Sequence, residues 1–176
     1  MRIAILLLLA AWWITLIRAF VARGGDVFGE WPISNQIRGK FSEPFDLAFF
    51  GMAAALLLCP FAFGATAPWV LGISAFAAAG CIGTMLTRRV WPNERAHITL
   101  AGIAFAGASA SFAAISWQLH AWAMFWLAVG TAIPAVIQAI LNFKPIHLWI
   151  AKFSRTEWAY AILITAWAVV AVFTLK

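Results

Sequence analysis

Six apolar runs, each near the length of one membrane crossing, follow one another at about 3–20, 45–63, 69–87, 97–115, 121–143 and 158–175. A helix rises about 1.5 Å per residue, so about 20 residues cross a hydrocarbon core about 30 Å thick. Only 10% of the 176 residues are charged and 65% are hydrophobic, where a soluble domain has about a quarter charged. The expected fold is therefore an all-α integral membrane protein, a six-transmembrane-helix bundle in one membrane domain.

The polar intervals divide the runs into hairpins. The longest, residues 18–46, carries four of the six acids (Asp26, Glu30, Glu43 and Asp46) together with Arg18, Arg23, Arg38 and Lys40. Gly24, Gly25, Gly29, Gly39 and Pro32 oppose a continuous helix there, and Trp31 offers an aromatic anchor for a bilayer surface or a partner. This predicts a polar cytoplasmic connector over 21–44, between the first and second spans. Runs two, four and six each start beside cap residues and an acid: Ser42 with Glu43, Asn93 with Glu94, and Ser154 with Glu157. The connections at 64–68 and 116–120 contain no Lys, Arg, Asp or Glu. Hairpins charged at one end follow, with Pro134 expected to kink the fifth span. A signal peptide is the alternative for the first run, but the apolar stretch continues past Trp12 and Trp13 without a small-x-small cleavage site, so a retained helix is expected.

Charge placement predicts the orientation. Arg18, Arg23, Arg38, Lys40, Arg88, Arg89, Arg95, Lys144, Lys152 and Arg155 fall on one side, against Arg2 and Lys176 on the other. The positive-inside rule makes the first side cytoplasmic and places both termini outside a plasma (inner) membrane, with Arg2 a minor contrary signal. The same distribution argues against nucleic acid, which selects a basic stripe interleaved with stacking aromatics. Cys59 and Cys81 fall toward opposite ends of adjacent spans, too far apart for a disulfide.

No span carries an ionisable residue near its midpoint, which weighs against a proton relay or pump. Phosphate loops, nucleophile elbows, zinc-protease motifs and Cys-x-x-Cys pairs are missing from the sequence. The catalytic candidates are interfacial: Glu43, Asp46, His97 and His147, where acids and imidazoles can meet at the cytoplasmic surface. No metal site is expected, because paired intramembrane histidines and Glu-x-x-His motifs do not occur. Among the 11 tryptophans, Trp12, Trp13, Trp126 and Trp167 lie deep enough to line a site for a bound lipid or flat apolar ligand; no cofactor is expected.

Helix contacts are expected at small residues, since lipid supplies no hydrophobic drive and close backbone approach replaces it. The spacing points to Gly72, Ala75, Ala79 and Gly83 on the third helix and to Gly102, Ala106, Ser109 and Ala113 on the fourth. On the fifth, alanines (Ala128, Ala132, Ala135, Ala139) oppose a large-residue side of Trp122, Trp126, Ile133, Ile137 and Ile140.

These features point to a small multi-pass protein that contacts membrane lipids and a membrane-protein partner. The expected role is a non-catalytic subunit or assembly factor of a larger membrane complex, with Trp31 a docking candidate. The alternatives are an enzyme acting on a lipid or isoprenoid at the cytoplasmic interface, and a small-molecule transporter or substrate-binding subunit.

Overall fold

A computed structural model describes residues 1–22, 42–90, 94–142 and 153–175. Among the described residues there are six α-helices and no strand: α1 Arg2–Ala22, α2 Ser42–Phe63, α3 Pro68–Arg89, α4 Glu94–Gln118, α5 Trp122–Asn142 and α6 Phe153–Thr174. Four of them hold stretches long and apolar enough to cross a membrane, Asp46–Phe63, Pro68–Thr87, Ala96–Gln118 and Glu157–Thr174, and α5 contributes a shorter apolar stretch, Trp122–Pro134. Each helix packs on its neighbours in the chain, and α1 also meets α6, so the six close into a ring. At one end, the hairpin end, α2 turns into α3 and α4 into α5. At the other, the polar end, the even-numbered helices begin.

Both hairpin-end turns solve the same problem in the same way. At the end of α2, Ala65 N–H bonds to the Pro60 carbonyl at 2.8 Å and Gly64 N–H to Phe61 at 3.4 Å, with Gly64 at φ 75°. At the end of α4, Ala121 N–H bonds to Ser116 at 2.8 Å and His120 N–H to Trp117 at 3.0 Å, with His120 at φ 54°. This is the paired bonding of a Schellman cap, which satisfies carbonyls that the helix itself leaves open. The Gln118 side-chain oxygen then accepts the Ala67 N–H at 3.2 Å, tying one turn to the other. Arg2 sits at this end, its Nε donating to the Ala62 carbonyl at 3.3 Å and its guanidinium 5.6 Å from the centre of the Phe63 ring. A cation on the last turn of α2 complements the helix dipole.

Between α3 and α4 the backbones touch. A Cβ added at Gly80 would lie 2.8 Å from the Ala104 nitrogen, and one at Gly107 would lie 2.9 Å from the Ala77 Cα. The two helices thus form a reciprocal clasp in which each Ala-x-x-Gly pair sets its alanine against the other helix's glycine. This corrects the contact faces expected from spacing. Gly72, Ala75, Ala79, Gly102 and Ala106 are exposed, and nothing lies within 4 Å of a Cβ at Gly72 or Gly102. Gly83, Ser109 and Ala113 do face neighbours, with Leu100 3.0 Å from a Cβ at Gly83. Small residues occupy every face of α3 and α4, so their spacing alone does not choose one. The face without Phe76, which is 60% exposed, is the one that closes. On α5 the division runs as expected where it is described: Ala128 is buried and Trp122, Trp126, Ile133 and Ile137 are exposed.

Trp167 fills the centre toward the hairpin end. It is fully buried, stacks on Phe112 (ring centres 4.1 Å apart, planes 5° apart) and meets the edge of Phe63 at 6.1 Å. Its indole N–H donates to the Met124 carbonyl at 3.0 Å, giving the one polar atom of a large apolar ring a partner.

Candidate functional site: a cleft at the polar end

Among the described side chains, three ionisable ones stand within two turns of the starts of the even helices: Asp46 on α2, His97 on α4 and Glu157 on α6. Acids near a helix N-terminus meet the positive end of its dipole, which favours carboxylates there even close to lipid. Asp46 is buried, and His97 and Glu157 are half-buried.

His97 and Glu157 line one cleft of about 70 Å³. Helices α1 and α2 supply Trp12, Leu16, Phe49 and Met52; α3 supplies Thr84. Beyond His97 on α4 come Ala101 and Phe105, and beyond Glu157 on α6 come Tyr160 and Ala161. A second void of about 30 Å³ continues inward, sharing Trp12, Phe49, Met52, Phe105 and Tyr160 and reaching Cys81. The polar groups therefore occupy the outer rim of the cleft, and aromatic rings line its depth.

Hydrogen bonds hold the lining in place. His97 Nδ1 is 3.0 Å from the Thr84 carbonyl oxygen. A carbonyl only accepts, so this nitrogen carries a proton. The Thr84 hydroxyl donates to the Gly80 carbonyl at 2.8 Å. Tyr160, the only tyrosine in the chain, donates its hydroxyl proton to the Phe105 carbonyl at 2.5 Å, and its ring meets Phe105 edge-on at 4.6 Å. Behind α1, Trp13 donates to the Thr165 hydroxyl at 2.8 Å and stacks on Trp158 with centres 5.7 Å apart. That seam joins α1 to α6 beside the cleft.

The residues singled out from sequence separate here. His97 lies in the cleft lining; Asp46 is buried at the same end, while its neighbour one turn on, Phe49, lines the cleft. Of the four deep tryptophans, Trp12 lines the cleft, Trp13 forms the seam and Trp167 is sealed in the core. Trp126 is not deep at all: it is 67% exposed on the outer side of α5, because that helix turns its alanines inward. Trp31, His147 and the side chain of Glu43 lie outside the described residues. No group of three or more His, Cys, Asp or Glu that could hold a metal occurs among the described residues.

Glu157, Tyr160, Phe49 and Phe105 escape a search for motifs. Their signal is spacing: Glu157 and Tyr160 are three residues apart, as are Asp46 and Phe49, while Phe105 is two turns beyond His97. In each case a polar residue near a helix start has an aromatic one or two turns deeper on the same face.

No protein-family model matches the chain, and comparison with curated proteins and with solved structures finds no match.

Proposed function

We propose that all six helices cross a plasma (inner) membrane with the polar end cytoplasmic and both termini outside. We further propose that the protein serves as a non-catalytic subunit or assembly factor of a larger membrane complex. The supporting observation is how the buried polar side chains are used. Ser74 and Ser111 bond to each other across α3 and α4 at 2.6 Å, and Thr131 of α5 bonds to Ser109 of α4 at 2.8 Å. Tyr160, Trp167 and Trp13 bond α6 to α4, α6 to α5 and α1 to α6. Interhelical polar bonds of this kind hold bundles together in lipid. They give the interior a structural use that competes with chemistry on a substrate.

A second reading, an enzyme acting on a lipid or isoprenoid at the cytoplasmic interface, has one observation in its favour: an imidazole and a carboxylate line the same cleft at the polar end. Purification of the tagged full chain in mild detergent, with mass spectrometry of co-purifying proteins and lipids, separates the two. A subunit retains a stoichiometric membrane-protein partner, and Trp31→Ala releases it while His97→Ala and Asp46→Asn leave it bound. Recovery of the chain without a protein partner, with loss of the cellular phenotype in His97→Ala at normal protein level, would reject the subunit reading in favour of the enzyme.

A further inference from the structure

At the hairpin end, Arg2 keeps most of its hydrogen-bonding capacity unused. The residue is half-buried, and among the described residues its guanidinium makes one hydrogen bond, from Nε to the Ala62 carbonyl at 3.3 Å. A guanidinium carries five N–H donors in one plane, so the four on the two Nη atoms have no partner among the described residues. The group is held in place all the same. Its Nε bond fixes one edge, and the Phe63 ring centre lies 5.6 Å from Cζ. Phe63 is itself buried and braced by the edge contact with Trp167. An arginine oriented in this way loses little further side-chain freedom when it takes a guest.

Charge selects the guest. All six acidic residues belong to the starts of the even helices or to the interval between α1 and α2. The elements that form the hairpin end therefore bring no side-chain carboxylate to Arg2. The carbonyl end of α2 is answered by Nε, which leaves the Nη edge for an anion with two oxygens, the geometry of a phosphate or carboxylate. Depth narrows the choice. Trp69 in the first turn of α3, Trp117 in the last turn of α4 and Trp122 at the start of α5 are exposed at the same end. Tryptophans so placed mark the level of the lipid headgroups, where the abundant anion is the phosphodiester.

We propose that Arg2 binds a phosphate group at the hairpin end, supplied either by a phospholipid headgroup or by free phosphate. The proposal rests on the reading of the helices as membrane spans and holds for either orientation of this end. Its test reads lipid locally. Phe61, exposed and next to Ala62, is replaced in the full chain by the photoreactive p-benzoylphenylalanine. The protein is placed in nanodiscs of digalactosyldiacylglycerol, a bilayer lipid without phosphate, containing a minor fraction of phosphatidylglycerol. After irradiation, mass spectrometry identifies the lipid attached at position 61, away from the basic residues of the polar end. The share of phosphatidylglycerol among the adducts should exceed its share of the bilayer roughly fivefold, as a charge-assisted contact requires. Arg2→Gln should return it to the bilayer share. Arg2→Lys, which keeps the charge but not the planar fork, should lower it part of the way.

A second arm assigns the source. In detergent at matched ionic strength, inorganic phosphate is compared with chloride while thermal unfolding is followed. Enrichment of phosphatidylglycerol identifies a headgroup site, and a rise in Tm with phosphate that Arg2→Gln abolishes identifies a free-phosphate site; either supports the proposal. Adducts in bilayer proportion together with equal Tm in phosphate and chloride would overturn it, with wild-type Arg2 alone sufficing for the comparison. Enrichment that persists undiminished in Arg2→Gln, or in Arg2→Lys should the glutamine variant fail to insert, would overturn it as well. A chain that does not enter nanodiscs at all would overturn the membrane reading and the site with it, an outcome distinct from an inserted chain without enrichment.

Discussion

His120 shows how a single backbone position can carry a cost that a neighbour avoids. The α2–α3 turn places Gly64 in the left-handed region, and the α4–α5 turn places His120 there with the same pair of cap bonds. A left-handed residue with a Cβ costs roughly 1–2 kcal/mol, and glycine avoids that cost while giving the unfolded chain more freedom. His120→Gly should therefore raise stability in detergent by up to about 1 kcal/mol, and Gly64→Ala should lower it. Thermal unfolding of both variants checks the pair. Its His120 half is overturned if His120→Gly lowers Tm, which would mean that the ring packing of His120 against Trp122, 6.3 Å between centres, outweighs the backbone strain.

For the helices, the α3–α4 clasp decides which glycines matter. At Gly80 and Gly107 the obstructing atoms are backbone atoms of Ala104 and Ala77, which cannot rotate away. Leucine at either position must push the helices apart, and overpacking of this kind costs about 1–3 kcal/mol or more. Gly72→Leu and Gly102→Leu add a side chain to an open surface of the same two helices. Expression and thermal stability should fall sharply for Gly80→Leu and Gly107→Leu and change little for Gly72→Leu and Gly102→Leu. A uniform loss across all four would indicate that the outer faces of α3 and α4 are also covered, as in an assembly of several chains.

Across the whole molecule, hairpins with polar starts and bare turns give the protein two unlike ends, and the proposed orientation rests on them. Arg2, the basic residue that opposes the expected orientation, is engaged with the Ala62 carbonyl and the Phe63 ring, a local role at the end of α2. With Cys59 and Cys81 replaced, a cysteine at the exposed Thr66 in the α2–α3 turn should react with a membrane-impermeant thiol reagent in intact cells. One at Ser34, in the basic interval between α1 and α2, should be protected. The reverse pattern would invert the proposed topology and place the cleft on the outer face.

Helix positions were set by local signals and could be read directly. Each apolar run stops where Gly, Pro or charge makes continuation in lipid unfavourable, so the run at 45–63 becomes Ser42–Phe63 and the run at 69–87 becomes Pro68–Arg89. The inward alanine side of α5 was equally plain, because its large residues leave only one small face. Neighbours decided the rest. On α3 and α4, alanine and glycine are spread around the whole circumference, so only the packed pair determines that Ala77, Gly80, Ala104 and Gly107 meet while Gly72 and Gly102 look outward. Trp12 and Trp126 are both apolar-run tryptophans, but one lines a cleft among five helices and the other faces away from the bundle. The cleft itself brings Trp12, His97 and Glu157 together from helices far apart in the chain. Local propensity and hydropathy act along the backbone and determine where helices run; burial depends on which surfaces meet, and only the tertiary arrangement settles that.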